Sequence, residues 1–217
     1  MKIIAILAAL TMISTCVNQT PIPSRQEGVE IGNPAAPSRI DLFLDPHCPN
    51  SAAFFNVLKS ILDADVKGKK LRDSISINLS VFPMPFHRNA FLAATALNFF
   101  RTKHVKHFTD FLQSQLDSVD KYNVDAKALN EPQVQQLILQ DAKKAFGSDD
   151  SSDVSEIFSD ASYNSNARIT FKYGAFKGVT STPSLFINHV LVTGLTADKN
   201  ALLALLSNFV TGSEYEL

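Results

Sequence analysis

Apolar and polar positions divide the chain into two β-rich groups separated by a long helical stretch. Residues 40–44, Ile-Asp-Leu-Phe-Leu, form a short run of β-formers, the pattern of a buried strand, and Asp45-Pro46 ends it. Beyond Cys48-Pro49, the residues Ala52, Phe54, Phe55, Leu58 and Ile61 recur at the spacing of one buried helix face. That helix is expected to end within 62–66. Residues 74–82 alternate through Ile75, Ile77, Leu79 and Val81, which predicts a second strand. Strand, helix and strand at this spacing make a βαβ unit, which requires a parallel pair and a right-handed crossover. Residues 28–31 predict one more short strand ahead of it. Lys67-Gly68-Lys69-Lys70 reads as a solvated basic turn at a helix end.

From 89 to about 140 the period is helical. Leu92, Ala93, Ala96, Phe99 and Phe100 begin it, and Val105, Phe108, Phe111, Leu112 and Leu116 continue it. Pro132 suits the first turn of a further helix, with Asn130 as its cap and Val134, Leu137 and Ile138 facing inward. Residues 147–166, rich in Ser, Asp and Asn, read as a helix–loop transition or surface segment anchored by Val154, Ile157 and Phe158. β structure returns at 184–187. Asn188-His189 is a turn, 190–194 the returning strand of a hairpin, and 195–210 a closing amphipathic helix. No internal repeat is visible.

Composition narrows the class. A chain of 217 residues buries a good core in one domain, or in one domain with an insertion. A net charge of −1, with no basic run interleaved with aromatics, gives no argument for nucleic acid. Two cysteines, Cys16 and Cys48, are too few for a disulfide framework. Lys2 and the apolar run 3–13, too short to span a bilayer, read as a secretory signal. Ser14 and Cys16 occupy the −3 and −1 positions of a cleavage after Cys16, and no stop-transfer pattern follows. Retention of Cys16 as a lipidated residue is the weaker reading, because Thr15 stands where a smaller residue belongs. The mature chain is then expected in an oxidising secretory, extracellular or periplasmic compartment with Cys48 as its one cysteine. Asn18 and Asn78 begin glycosylation-type triplets, but Asn78 falls inside a predicted strand and reads as a chance match. The terminal Glu-Tyr-Glu-Leu shares only its last two residues with an ER-retrieval signal.

Cys48 is the candidate for chemistry. At a helix N-terminus the unpaired N–H groups and the macrodipole favour negative charge, which lowers a thiol pKa and yields the nucleophilic thiolate. Pro49 fits the first turn, where its missing N–H costs nothing. The plainer reading is a small packed cysteine. His47, if protonated beside the thiol, would favour thiolate; the rival reading is a solvent-facing turn histidine. Asp45 reads as a cap for local N–H groups, or as a proton acceptor. His104 and His107 share a helical face but lack a third ligand, so no metal site is expected. Phe82, Phe86, Phe91 and Phe99 are either plain core or the walls of an apolar groove.

Four pieces in order carry a family resemblance. They are Gly32-Asn33-Pro34-Ala35-Ala36-Pro37, Asp45-Pro46-His47-Cys48-Pro49-Asn50-Ser51, the stretch from Phe82-Pro83 to His87-Arg88-Asn89-Ala90, and Gly178-Val179 through Thr182-Pro183-Ser184-Leu185-Phe186-Ile187-Asn188. Over 28–210 the chain resembles the DsbA-like thiol–disulfide oxidoreductases, an α/β, thioredoxin-like fold with a helical insertion. Behind the signal at 1–16 and a polar lead-in at 17–27, the resemblance implies a βαβ half at 28–86, a helical insertion at 87–170 and a ββα half at 171–217. It implies a cis peptide before Pro183 packed against Cys48, and Thr182 presenting backbone to an extended substrate, with Pro49 beside them as a third substrate-binding residue. The departure is Ser51, which stands where the family has its second cysteine. No second thiol can resolve a mixed disulfide there. Ser51 would serve instead as a hydrogen-bond donor to the thiolate.

The expected function is therefore monothiol exchange on protein or peptide thiols and disulfides, isomerase-like or glutathione-linked. Cys48, Ser51 and His47 form its catalytic set. No cofactor is expected beyond glutathione as a candidate co-substrate, and no transmembrane segment in the mature chain. The rival is a non-catalytic chaperone or binding module with an inert Cys48. A third reading is a kappa-type glutathione transferase, against which the secretory signal argues.

Overall fold

The computed structural model describes residues 27–147 and 152–210. The signal, Cys16, nearly all of the 17–27 lead-in and the terminal Glu-Tyr-Glu-Leu lie outside the described residues. Strand β1 (Val29–Gly32), β2 (Arg39–Leu44) and helix α1 (Pro49–Ile61) follow in order. A small hairpin of β3 (Asp65–Val66) and β4 (Lys69–Lys70), a one-turn helix α2 (Leu71–Ser74) and β5 (Ser76–Val81) complete the first half. The basic turn is thus a hairpin and not a helix end. Lys67 (φ 53°) and Gly68 (φ 79°) supply the two positive φ angles that a tight hairpin turn demands.

β2 and β5 pair in parallel, Ile40 opposite Ile77 and Leu42 opposite Leu79, so α1 is the crossover of the expected βαβ unit. β1 joins β5, β6 (Ser184–Ile187) joins β2, and β7 (Val190–Leu191) joins β6, all antiparallel. The five-stranded order is β1-β5-β2-β6-β7. Side chains alternate across such a sheet. Ile40, Leu42, Leu44, Ile77, Leu79, Leu185 and Ile187 therefore share one face, buried with Phe54, Phe55 and Leu58 of α1 and Leu202 and Leu206 of α9 (Lys199–Ser207). On the other face Phe43, Phe82, Met84, Val179 and Phe186 form a second cluster beneath Phe171 and Tyr173 of α8 (Ala161–Phe176). Gly174 of α8 is what lets the helix approach, since a Cβ there would stand 2.6 Å from the Phe82 ring.

Between the halves lie α3 (Ala90–Lys103), α4 (Phe108–Leu116), α5 (Val119–Asn123), α6 (Glu131–Phe146) and α7 (Glu156–Ser159). Asn130 caps α6, its side chain accepting from the Gln133 N–H while Gln133 returns a bond to the Asn130 N–H. Val154 and Ile157 are buried anchors of a stretch whose described residues hold a 3-10 turn (Ser152–Ser155), α7 and the start of α8, as a transition reads, and α8 then runs on to Phe176. Its inward stripe is Tyr163, Ala167, Thr170 and Gly174, at helical spacing yet nearly devoid of hydrocarbon bulk. α9 is shorter than expected because Asp198 caps it, accepting from the Ala201 N–H at 2.7 Å. Asn78 is buried in the sheet, donating to Asp41 and Ser80, so its triplet is interior.

Candidate active site

β2 delivers the chain into a turn, Asp45 to Cys48, that opens α1. Cys48 is the N-cap residue with extended backbone (φ −91°, ψ 121°), and Pro49 occupies the first turn as its fixed φ allows. The Cys48 side chain is only 6% exposed, and its thiol donates to the Thr182 carbonyl at 3.4 Å. The Thr182–Pro183 peptide is cis. Residues 134 positions apart therefore meet at the sulfur, while Pro49 is exposed beside it. Thr182 Oγ1 is buried and has no hydrogen-bond partner among the described residues. Ser51 is fully buried one turn into α1, where its hydroxyl accepts the Asp45 N–H at 3.2 Å. No hydrogen bond joins Ser51 to Cys48 among the described residues, so in this structure the hydroxyl braces the turn rather than the sulfur.

Asp45 is the organiser that local sequence underrated. Its carboxylate is fully buried and accepts from the His47 N–H (2.7 Å), the Met84 N–H (2.6 Å) and His87 Nδ1 (2.7 Å). Burial pushes its carboxyl above the usual value, against the bonds from His87, Met84 and His47. The capping reading is met, and it reaches beyond local N–H groups to the loop after β5.

His47 is neither the charged neighbour nor the solvent-facing residue that the sequence offered. Its ring is fully buried and stacks on Tyr122, centroids 4.3 Å apart and planes 9° from parallel. Gln115 Oε1 accepts from Nε2 at 3.2 Å, and Nδ1 has no partner among the described residues. Burial drives its pKa down to about 4, with the Gln115 bond opposing, so the imidazole is neutral at physiological pH and supplies no positive charge to the thiol. A histidine with a depressed folded pKa stabilises the fold above its unfolded value, near 6.5, and that stability is lost as pH falls toward 4. The shift corresponds to about 3 kcal/mol. Asp41 and Asp141 act at lower pH: burial raises both, but Lys177 and Lys121 outweigh it and hold them below the ordinary value. Asp45, shifted upward, works in the opposite direction. Urea midpoints of the wild type and His47→Phe, measured from pH 7 to pH 4, are expected to show the wild type losing about 3 kcal/mol relative to the variant. Parallel pH profiles would contradict this assignment.

Two cavities flank the turn. One of about 430 Å³ lies along Asn50, Phe54, Ser181, Thr182, Pro183 and Thr196, on the cis-proline side. Another of about 240 Å³ is walled by Pro83, Met84, Pro85, Phe91 and Phe171, with His87 at its edge. Phe91 lines this second cavity and Phe86, 72% exposed, stands in the same loop. Phe82 and Phe99 are core, the latter packed on Phe100 at 5.3 Å. His104 and His107 both lie against the Phe146 ring, and the described residues contain no group of three or more potential metal ligands.

The sheet order, the helical segment and the cysteine facing a cis-proline loop define a thioredoxin-like, DsbA-like architecture. A family model described as Thioredoxin matches residues 24–205, and the chain belongs to that family. Solved structures share the fold. BdbD from Bacillus subtilis in its oxidised form superposes with a TM-score of 0.67 at 15% identity, over 86% of this chain and all of the other. The thiol-disulfide exchange protein alpha-DsbA2 from Wolbachia pipientis gives 0.61 at 20% identity, over 83% and 86% of the two chains. The catalytic domain of Proteus mirabilis ScsC gives 0.61 at 16% identity, over 86% and 91%. No curated protein matches the sequence. Among the described residues no helix is long and apolar enough to cross a membrane.

Proposed function

We propose that the protein carries out thiol–disulfide exchange through Cys48 alone, on protein or peptide substrates outside the cytoplasm. One observation carries this reading. Cys48 stands at the N-cap position of α1 with its sulfur facing the carbonyl that precedes the cis proline, and the residue one turn further on bears a hydroxyl and no thiol. The first-turn N–H groups of α1 lack helical partners and favour a negative sulfur. That sulfur attacks one sulfur of a substrate disulfide, an S–S bond forms to Cys48, and the other substrate sulfur leaves as thiolate with the bonding pair. A second thiolate, the substrate's own or glutathione, then attacks the substrate sulfur of the mixed disulfide. Cys48 leaves as thiolate and the substrate regains a disulfide. No net oxidation occurs, which suits isomerisation or glutathione-linked exchange. The cavity beside Thr182 and Pro183 offers room for an extended substrate. The apolar run 3–13 supports export.

Incubation with a peptide disulfide should leave a one-to-one adduct on the wild type that mass spectrometry detects. Cys48→Ser should form none and should lose exchange activity by about 100-fold or more, as expected on removal of a covalent nucleophile. Exchange that survives Cys48→Ser ends the proposal. The second reading, a binding module, draws on the burial of Cys48 and the exposure of Phe86. It predicts capture of unfolded chains that Cys48→Ser leaves unchanged.

A further inference from the structure

The described residues contain a buried polar assembly that the exchange chemistry does not use, and it ends on the residue before Cys48. Asn123 Nδ2 donates to the His47 carbonyl at 2.8 Å. Gln115 holds the His47 ring from its edge, and Tyr122 supports its face. Tyr122 is itself fixed at both ends. Its hydroxyl donates to Asp141 at 2.7 Å, where Lys121 also donates at 2.6 Å, and its carbonyl accepts from Asn89 at 2.8 Å. Every one of these partners lies on α3–α6 or at their boundaries. Between them they grip both the main chain and the ring of one residue, whose own N–H is bound by Asp45.

We propose that His47 is a positioning residue: clamped by Gln115, Tyr122 and Asn123, it transmits the hold of the helical segment to the Cys48 backbone and sets where the sulfur stands. The inference rests on the exchange reading for its consequence, and on geometry for its substance. A residue whose carbonyl and ring are both tied leaves the next residue little freedom in φ and ψ. The sulfur consequently faces the Thr182 carbonyl and the first turn of α1 together. The clamp works without charge. The titratable groups that face His47, namely Asp141 and Lys121 behind Tyr122 and His87 beyond Asp45, leave the imidazole neutral, because burial outweighs them.

Two substitutions remote from the sulfur test this: Asn123→Ala, which frees the His47 carbonyl, and Gln115→Leu, which frees its ring. In variants shown to be folded by far-UV circular dichroism, two rates at Cys48 are measured, adduct formation with oxidised glutathione and alkylation by iodoacetamide. Adduct formation, which needs an aligned sulfur, is expected to fall by about tenfold in each variant, the scale of one lost hydrogen bond to a buried group. Alkylation, which needs mainly exposure of a sulfur now nearly covered, is expected to rise. Rates unchanged in both assays would overturn the proposal. So would a wild-type rate profile with an inflection between pH 5 and 8 that His47→Asn removes, because a charged histidine would then be tuning the thiol. If the wild type forms no adduct at all, the exchange reading fails. The alkylation arm then decides alone: a rise upholds the clamp and no change removes it.

Discussion

In Ser51→Cys, a mixed disulfide at Cys48 is expected to break down at least about 1,000-fold faster than in the wild type at the same low concentration of free thiol. Position 51 lies one helical turn from Cys48, in the same first turn of α1. A sulfur there attacks within the molecule, at an effective concentration that no dilute external thiol matches. Attack on Cys48 Sγ expels the substrate thiolate and closes an internal disulfide, so the variant's dithiol becomes a two-electron reductant of the substrate disulfide, where the proposed wild-type reaction only exchanges. The substitution costs some stability. The Asp45 N–H now donates to the Ser51 hydroxyl at 3.2 Å, and sulfur is a weaker acceptor, a loss of about 1 kcal/mol. The measurement is adduct lifetime by mass spectrometry after rapid removal of excess disulfide. An adduct that persists equally in both proteins would mean that position 51 is out of reach of a mixed disulfide at Cys48.

What the chain reveals before folding depends on whether a residue's partners are local. The alternation of Ile75, Ile77, Leu79 and Val81 announces β5 because one sheet face is hydrocarbon, and Asn130 with Pro132 announces α6 because the signals that start a helix lie between near neighbours. α8 is obscured by a buried stripe of Tyr163, Ala167, Thr170 and Gly174 that is short of aliphatic residues: Gly174 is set by its closeness to Phe82 and Phe43, and Thr170 by its bond to Glu27. The hairpin at Lys67-Gly68 was obscured because its strands are two residues each. At the site, Cys48 is legible from its place before Pro49 at a strand-to-helix switch, Thr182 and Pro183 through family resemblance, and the structure brings them together. His47 could not be read correctly at all. Its environment is made by Gln115, Tyr122 and Asn123, far along the chain, and no local pattern separates a histidine on a turn from one sealed beneath a helical segment. His87 is a similar case. Only Asp45, through the fold, gives it a role.

Asp45→Ala is expected to lower the folding free energy by about 3–5 kcal/mol, the scale of leaving several buried donors without their acceptor, and so to drop the Tm by roughly 10 °C for a chain of this size. Three donors lose their acceptor at once: the His47 N–H, the Met84 N–H and His87 Nδ1. Two of them are main-chain groups in buried residues, where an orphaned N–H costs about 1–3 kcal/mol. Asp45→Asn should cost less, because its carbonyl oxygen still serves one donor while its NH₂ opposes another. The pH dependence separates charge from hydrogen bonding. Burial raises the Asp45 carboxyl, so its contribution is full at low pH and declines as pH rises through its folded pKa. The Asp45→Asn penalty is therefore expected to shrink from acid toward neutral pH in urea-midpoint measurements, and a penalty that grows would mean that the His87 pairing outweighs burial. Either substitution also loosens the turn that carries Cys48, whose own N–H is bound to the Asp45 carbonyl. Adduct formation should therefore slow even in the folded fraction. One buried carboxylate thus serves fold and chemistry through the same bonds: it joins the end of β2, the residue that the helical segment grips and the loop beyond β5 around a sulfur that it never touches.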